Sequence, residues 1–549
     1  MKSKLKLTSL AAALLVAGTA QAQLQGPSTG STPYGIGSNP NILVRSIATV
    51  DNVSIADDTF TRIGTSPIYG TGAYSMVGIP DGLGAFDNGD RTFTVLMNHE
   101  IGSTVGVTRD HGSKGSFVSQ WVINKDTLAV VGAKDLIQNV NLWNGSGYTT
   151  FNSANPIVTG AASAAVYNAA IGRLCSADLA PVSAYSHGAL GTTSRLFLSG
   201  EEIGNEGRVF AHIATGTNAG TSYELPRLGK FSWENALASP FAQDKTLVMG
   251  LDDTTPGQLY AYVGTKLSTG NDVEKAGLTN GNLYGIKVGS IASELRVGDI
   301  GIGKNGSTAF SMVAMGTAGD VSGISGATLQ STSVTAGITE FLRPEDGAWD
   351  TLTNDKFYFV TTDRYDQVKD GVGSQVGRSR LWEMEFSDMA NPENGGNIKL
   401  LLDGTEAVQM MDNIAVDLDG NILIVEDVGG QAHNGKLWRY NPTSGNLELL
   451  AKHDPARNGD IGIAATTPFN NDEEFSGVID ITSLMADSAL NTGNPNERWY
   501  LMDDQQHYAL GGAQVEGGQL LAVQAVPEPS RALLALIGFS AMLFRRRRA

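Results

Sequence analysis

Three glutamates directly follow one apolar run, in the segment RLFLSGEEIGNEGRVF at residues 195–210. The letters LFL are typical of a strand, and the Ser-Gly pair ends it before Glu201, Glu202 and Glu206. Carboxylates this close repel one another unless a hard divalent cation neutralises them. Taken alone, the segment is more typical of a solvated turn, so its interpretation depends on the acids elsewhere in the chain.

Polar groups recur at the ends of other strand-like runs. Any one of these clusters is more typical of a surface turn or cap than of a ligand set. The clusters are Asn98-His99-Glu100, Glu201-Glu202, Asp252-Asp253, Arg343-Pro344-Glu345-Asp346, Asp412-Asn413, Glu426-Asp427, Glu473-Glu474 and Gln505-Gln506-His507. Their recurrence favours a common site, provided that the fold brings these strand ends together.

Short runs of β-branched and aromatic residues recur between glycine-rich turns, and long helical patterns are few. Three segments repeat one order of elements, a strand ending in an acid, a glycine-rich turn and an aromatic strand: VMGLDDTTPGQLYAYV, VTTDRYDQVKDGVGSQVGRSRLWEMEF and IVEDVGGQAHNGKLWRYN. Divergent repeats of this kind predict an all-β fold, a β-propeller with loop insertions, over residues 23–525. The inner strands of propeller blades line a central channel, so acids at the strand ends are expected to converge there.

Both ends of the chain carry targeting patterns. Residues 1–22 contain three lysines, an apolar run and a small-residue site, which predicts a signal peptide cleaved after Ala22. Residues 526–549 resemble the PEP-CTERM sorting signal of Gram-negative bacteria, because Pro527-Glu528-Pro529, a short apolar segment and four arginines occur in that order. This resemblance implies export, a transient membrane anchor, processing by an exosortase-type enzyme, and the periplasm, cell surface or extracellular matrix as destination.

The net charge is −18, and both predicted targeting segments are basic, so the rest of the chain is more acidic still. This acidity argues against binding to nucleic acid or to an anionic membrane surface. It is compatible with a protein that carries several divalent cations. Cys175 is the only cysteine, so no intramolecular disulfide stabilises the fold.

Several motifs resemble, in order, those of the PhoX-like alkaline phosphatases, a family formerly grouped as a domain of unknown function. The matching segments are VLMNHE at 95–100, LFLSGEE at 196–202, LGKFSWENA at 228–236, MGLDDTTPGQLYAYV at 249–263, FLRPED at 341–346, MDNIAVDLDGNILIVED at 411–427, EEFSGVIDIT at 473–482 and DDQQHY at 503–508. The resemblance implies a propeller of about six blades with a metal cluster at one end of its channel. It also implies hydrolysis of phosphate esters outside the cytoplasm.

Site residues follow from the resemblance position by position. Arg343 is the expected phosphate clamp, because its planar guanidinium offers two parallel donors. His99 and His507 are candidate general acids, with the orientation of a neighbouring group as the alternative role. The implied metal ligands are Glu100, Glu201, Glu202, Glu234, Asp252, Glu345 and Glu474.

Calcium is the cofactor that carboxylate ligands favour, and characterised members of the family also hold iron. The family's iron site uses a cysteine a short distance before Glu-Glu, whereas Cys175 lies 26 residues before Glu201. Gly200 and the Ser232-Trp233 pair also depart from the family pattern. We therefore predict calcium, with Fe³⁺ held by Cys175 as the alternative.

Two functions remain open from the sequence. The first is an exported, metal-dependent phosphatase acting on small phosphate esters, either monoesters or diesters. The second is a non-enzymatic calcium-binding propeller that binds the cell surface or an exopolysaccharide matrix, which the sorting signal fits slightly better. Arg343 discriminates between them, because a hydrolase needs this residue beside the carboxylates and a scaffold does not.

Overall fold

The computed structural model describes residues 23–50, 58–289, 291–294, 302–362 and 379–527. The predicted signal peptide and all but the first two residues of the predicted sorting segment lie outside these ranges. Among the described residues, no helix has the length and apolar character that crossing a membrane requires.

The described residues are mostly β-strands, with a few short helices. The strands, numbered along the chain, are β1 (Gln23–Gln25), β2 (Gly35–Gly37), β3 (Ile42–Thr49), β4 (Thr59–Phe60), β5 (Tyr74–Ser75), β6 (Pro80–Asp87), β7 (Thr92–His99), β8 (Phe117–Asn124), β9 (Val130–Asp135), β10 (Asn139–Trp143), β11 (Tyr148–Asn152), β12 (Leu174–Asp178), β13 (Ser186–His187), β14 (Leu190–Gly191), β15 (Leu196–Glu201), β16 (Val209–Ile213), β17 (Thr221–Glu224), β18 (Trp233–Ala238), β19 (Lys245–Asp252), β20 (Gly257–Thr265), β21 (Asn282–Val288), β22 (Ser307–Ala314), β23 (Glu340–Phe341), β24 (Pro344–Trp349), β25 (Lys356–Thr361), β26 (Arg380–Phe386), β27 (Gly396–Leu402), β28 (Met411–Val416), β29 (Ile422–Glu426), β30 (Lys436–Tyr440), β31 (Leu447–His453), β32 (Glu474–Asp480), β33 (Arg498–Gly511) and β34 (Val515–Ala525). The α-helices are α1 (Asp272–Lys275), α2 (Gly326–Ala336), α3 (Pro455–Asn458) and α4 (Thr482–Met485).

Most of these strands form six blades. Blade 1 is β6–β9, blade 2 is β12 and β15–β17 extended by β10 and β11, and blade 3 is β18–β22. Blade 4 is β24–β27, blade 5 is β28–β31 with β2, and blade 6 is β32–β34 with β3 and β1. The six innermost strands, β6, β12, β18, β24, β28 and β32, contact one another in that order and close a ring. The predicted β-propeller is therefore confirmed.

Ring closure uses both ends of the described chain. In blade 6 the N-terminal strand β3 pairs with the C-terminal strand β34, with Ile42 opposite Ala525. This pairing joins segments near the two ends of the described chain without a disulfide. Blades 3 and 4 are further joined because β22 pairs with β27.

Apolar clusters fill every boundary between neighbouring blades. Trp121, Trp233, Trp382 and Trp499 are among the largest fully buried side chains. Burying one large apolar side chain contributes about 1.5–3 kcal/mol. Because each blade buries its faces only against its neighbours, the apolar runs seen in the sequence stabilise the ring as a whole.

Each innermost strand carries a β-bulge near its start. The register with the neighbouring strand shifts there, so that the inner strand contains one extra residue. Bulges re-aim side chains and end regular pairing. The residues between the shifted pairs are Asp81-Gly82, Cys175-Ser176, Glu234-Asn235, Glu345-Asp346, Asp412-Asn413 and Ser476-Gly477. Six equivalent bulges therefore present polar residues at one end of the channel.

Candidate metal centre

Two positions that recur from blade to blade supply side chains to this end of the channel. The first position lies in the inner bulge, and its ionisable residues are Asp81, Cys175, Glu234, Glu345 and Asp412. The second position directly follows the second strand of blades 1 to 5, and its residues are Glu100, Glu202, Asp253, Thr362 and Asp427. Strand ends far apart in sequence therefore meet here, as the sequence predicts.

The ionisable side chains form one continuous cluster. Among the described residues, four groups each place one possible ligand atom per residue within 4.8 Å of the others. Calcium–oxygen distances of about 2.3–2.6 Å allow ligands of a single ion to be this far apart. The groups are Asp81, Glu100 and Cys175; Cys175, Glu202 and Glu234; Glu234, Glu345 and Asp412; and Asp412, Asp427 and Glu474. Each group shares a member with the next, so the cluster could hold several ions side by side.

Burial and mutual repulsion dominate the electrostatics of the cluster. Burial raises the pKa of Glu234, Asp412 and Glu474 well above the usual carboxyl range. Nearby carboxylates raise each of these pKa values further; the charge of Asp427, for example, raises the pKa of Glu474. Burial likewise raises the pKa of Asp81 to about 7. Cations favour the ionised forms of such carboxyls, so this donor set fits metal ions.

Cys175 lies inside the cluster. Its Sγ is 3.2 Å from Asp81 Oδ2 and 3.5 Å from Glu234 Oε1. Burial raises the pKa of the thiol well above its ordinary value, and the fields of Asp81 and Glu234 raise it further. The 26-residue separation from Glu201 does not keep Cys175 away, because β12 and β15 are neighbours in blade 2.

Two arginines approach the carboxylates. Arg343 Nε lies 2.7 Å from Asp253 Oδ1 and 2.9 Å from Glu345 Oε1. Arg173 Nη2 lies 2.5 Å from Glu100 Oε1 and also forms an ion pair with Glu202. Arg343 has the placement expected of a phosphate clamp, and Arg173 is a second cation that the sequence interpretation missed.

Two predicted ligands lie outside the cluster. Glu201 is fully buried and accepts hydrogen bonds from Arg208 Nε at 2.6 Å and Nη2 at 2.8 Å. Asp252 belongs to none of the four groups, and burial raises its pKa to about 7. Both residues end a strand opposite the first paired residue of an inner strand. Side chains alternate along a strand, so the next residue in each case points the other way: Glu202 joins the cluster, and Asp253 pairs with Arg343 beside it.

The two candidate histidines differ in their surroundings. His99 stacks on Phe117, and its Nε2 lies 2.9 Å from Ser119 Oγ. Burial lowers the pKa of His99 to about 3, which keeps the ring neutral. His507 Nδ1 lies 2.9 Å from Glu516 Oε2, and this pairing raises the pKa of His507 although burial opposes it. These contacts fit the alternative role of orienting or bracing neighbouring groups.

Three members of the cluster were not among the predicted ligands, namely Asp81, Asp412 and Asp427. Asp412 and Asp427 stand in polar clusters already visible in the sequence, and Asp81 stands in a Pro-Asp-Gly triplet that is typical of a turn. Aligning the six blades on their inner strands would have found all three, since they occupy the same positions as Glu234 and Glu202.

Part of the chain matches a known protein family. Residues 213–480, from the end of blade 2 to the inner strand of blade 6, match the family model described as alkaline phosphatase PhoX. No curated protein matches the chain.

Among solved structures, Pseudomonas fluorescens PhoX in complex with vanadate, a transition-state analogue, has a TM-score of 0.56 and 12% identity, covering 92% of this chain and 98% of that one. At this identity the likeness shows the fold. A protein of unknown function from Dyadobacter fermentans has a TM-score of 0.35 and 8% identity, covering 87% and 98% of the two chains. A putative 6-phosphogluconolactonase from Bacteroides uniformis has a TM-score of 0.31 and 10% identity, covering 71% and 94%.

Just under half of the chain, residues 213–480, thus carries the sequence pattern of the PhoX alkaline phosphatases, on a fold similar to that of a PhoX enzyme. The family match and the fold both support the predicted enzyme class, a phosphoric ester hydrolase.

Proposed function

We propose that the protein is an exported, metal-dependent phosphatase that hydrolyses small phosphate esters at the channel mouth. The observation that carries this proposal is the position of Arg343, whose guanidinium touches both Asp253 and Glu345. A scaffold that only holds ions has no need of a guanidinium among its carboxylates. A phosphatase needs one, because charge on the phosphoryl oxygens must be neutralised in the transition state.

A comparison of three blades supports one place for a resident cation. The residue two positions before the first bulge residue of an inner strand is Arg173 in blade 2, Arg343 in blade 4 and Glu474 in blade 6. Arg173 contacts Glu100 of blade 1, and Arg343 contacts Asp253 of blade 3. In the third pair Glu474 meets Asp427 of blade 5, so a carboxylate stands where the other two pairs have a guanidinium.

The donor set at this third pair fits calcium. Asp412, Asp427 and Glu474 offer only oxygen atoms, which are the ligands that a hard divalent cation prefers. The group around Cys175 is different, because it combines a sulfur atom with Asp81, Glu100, Glu202 and Glu234. Sulfur favours a transition metal. We therefore propose calcium at Asp412, Asp427 and Glu474, and iron beside Cys175. Such cations, when bound, neutralise phosphoryl oxygens and polarise the phosphorus centre.

The protein side chains contribute positioning. Arg343 Nε is held by Asp253 and Glu345, and the hydrogen bonds among the described residues leave its Nη1 without a partner. Nη1 is therefore available to donate to a phosphoryl oxygen, with Nη2 beside it. His99 receives no proton-transfer role, because it is buried, neutral and bonded to Ser119.

A direct test uses the purified mature protein with a phosphate monoester and a phosphate diester. We expect hydrolysis of at least one ester, loss of hydrolysis in a chelator, and recovery when calcium, with iron if needed, is returned. Protein that is fully loaded with metal and hydrolyses neither ester would support the scaffold instead, with the carboxylates holding structural ions.

Export belongs to the same proposal. It is supported by the signal-peptide pattern at residues 1–22 and by the sorting-signal pattern at residues 526–549. Fractionation of producing cells should find the protein outside the cytoplasm and shortened at both ends. Full-length protein confined to the cytoplasm would contradict export without affecting the phosphatase proposal.

A further inference from the structure

We propose that Arg173 is a second phosphate-binding residue, which acts on the substrate together with Arg343. This inference rests on the proposed phosphatase function. It names a residue for which the sequence offered no role, and it predicts that phosphate is held between guanidinium groups from blades 2 and 4.

Arg173 and Arg343 occupy equivalent positions. Each directly precedes the first paired residue of an innermost strand. That paired residue is Leu174, opposite Glu201, in blade 2 and Pro344, opposite Thr361, in blade 4. Each has a positive φ, 42° for Arg173 and 60° for Arg343. Ile79 in blade 1 and Met410 in blade 5 occupy the same position and also have a positive φ, 50° and 48°. The conformation therefore belongs to the position, and the guanidinium group is what distinguishes blades 2 and 4.

Their contacts are equivalent too. Each guanidinium reaches the acid that follows the second strand of the preceding blade, Glu100 for Arg173 and Asp253 for Arg343. The two arginines are linked through two carboxylates, because Arg173 pairs with Glu202, Glu202 interacts with Asp253, and Asp253 pairs with Arg343. The two guanidinium groups are thus connected through adjoining carboxylates at one end of the channel.

Arg173 has donors to spare. Its hydrogen bonds and ion pairs among the described residues use Nε and Nη2, which leaves Nη1 free. The side chain is 46% exposed, compared with 32% for Arg343, so a small solute can reach it at least as readily. Cations bound by Glu100 and Glu202 would take over the neutralisation of these carboxylates. Arg173 would then be able to turn its planar donor edge to phosphate oxygens.

The test compares Arg173→Gln and Arg173→Lys with a matched control, Arg91→Gln. Arg91 also has a positive φ, 69°, and also pairs with two aspartates, Asp126 and Asp487. It lies in the turn between β6 and β7, at the other end of blade 1 from the metal centre. Bound metal, kcat/KM and the affinity for inorganic phosphate are measured on metal-loaded protein.

We expect Arg173→Gln to retain its metal, to lose about 100-fold in kcat/KM and to bind inorganic phosphate about tenfold more weakly. Arg173→Lys should keep metal and recover part of the phosphate affinity, since it keeps the charge without the planar fork. Arg91→Gln should match the wild type in all three measurements.

Two results would overturn the proposal. One is a phosphate affinity of Arg173→Gln that equals that of the wild type. The other is joint loss of metal and activity in Arg173→Gln with full recovery in Arg173→Lys, which would make Arg173 a neutraliser of ligands only. If the wild-type protein hydrolyses no ester, the phosphatase proposal fails, and the inorganic-phosphate affinities of the same variants still decide the role of Arg173.

Discussion

Asp427 and Glu474 face each other across the boundary between blades 5 and 6, with ligand oxygens within 4.8 Å of each other and of Asp412. Their backbones form an isolated antiparallel bridge, so the two carboxylates are held together by the fold. The equivalent pairs in the ring, Arg173 with Glu100 and Arg343 with Asp253, each contain one arginine. Without a cation, the folded state must either keep this repulsion or take up a proton, as the raised pKa of Glu474 indicates, and either costs stability near neutral pH.

Glu474→Gln should consequently have opposite effects with and without metal. In a chelator the variant should melt at a higher temperature than the wild type, because one of two repelling charges is gone. In excess calcium it should melt at a lower temperature, because a metal ligand is lost; binding to the folded state alone adds about 2.7 kcal/mol at a hundredfold excess over Kd. Thermal unfolding of both proteins in both conditions checks this. Glu385→Gln, on an exposed residue of β26, is the control, and a shift of the same sign in both conditions would contradict the assignment.

Adjacent glutamates should respond in different ways to the same substitution. Glu202→Gln should reduce bound metal and hydrolysis while the fold remains intact. Glu201→Gln should instead destabilise the fold by about 3–5 kcal/mol, because it leaves the buried guanidinium of Arg208 without its partner charge. Urea unfolding and metal analysis of both variants decide the matter. Loss of metal in Glu201→Gln with undiminished stability would contradict the assignment of Glu202, rather than Glu201, to the metal centre.

Arg343→Lys tests the clamp. Lysine keeps the positive charge but lacks the planar pair of donors, so metal content should persist while transition-state stabilisation falls by about 2–4 kcal/mol. Steady-state kinetics together with metal analysis measure the two effects separately. A lysine variant as active as the wild type would rule out the donor geometry as the function of Arg343.

Stability should depend on pH through His212. This buried histidine lies 2.8 Å from Ser199 Oγ and 2.7 Å from Ser222 Oγ, and burial lowers its pKa to about 3. An unfolded histidine has a pKa of about 6.5, so only the unfolded chain binds this proton between the two values. The free energy of unfolding should therefore be unaffected by this group above pH 6.5 and fall by about 1.4 kcal/mol per pH unit below it.

His212→Gln isolates this contribution. The destabilisation caused by the substitution should be about 2 kcal/mol smaller at pH 5 than at pH 7, because the wild type alone loses the histidine term at pH 5. Urea unfolding in calcium at both pH values gives the difference. His187→Gln, on an exposed histidine paired with Asp244, is the matched control. Equal destabilisation at both pH values would contradict the buried, neutral state of His212.

The propeller was predictable because its physical signals are local. Continuous apolar runs reflect blades that are buried on both faces, and the repeated order of acid, turn and aromatic strand marks the second and third strands of a blade. The site was partly predictable for the same reason, since Glu100, Glu202, Glu234, Glu345 and Glu474 all lie in or directly beside strand ends that converge.

The remaining features depend on pairing between distant residues. Whether Glu201 or Glu202 reaches the channel is fixed by the register of β15 with β12, which neither local sequence contains. Cys175 joins the cluster through the same pairing, despite its distance from Glu201 in sequence. The bulges are equally hidden, and without them Asp81 looks like part of a turn.

Calcium titration of stripped protein is the most direct test, with bound metal and the rate of phosphate-ester hydrolysis followed in the same samples. Where iron is also required, it is supplied at a constant saturating level. A carboxylate cluster that holds catalytic cations predicts that the rate is negligible in stripped protein and rises in parallel with occupancy. Protein that reaches full occupancy, gains stability and still hydrolyses no phosphate ester would contradict catalysis at this centre.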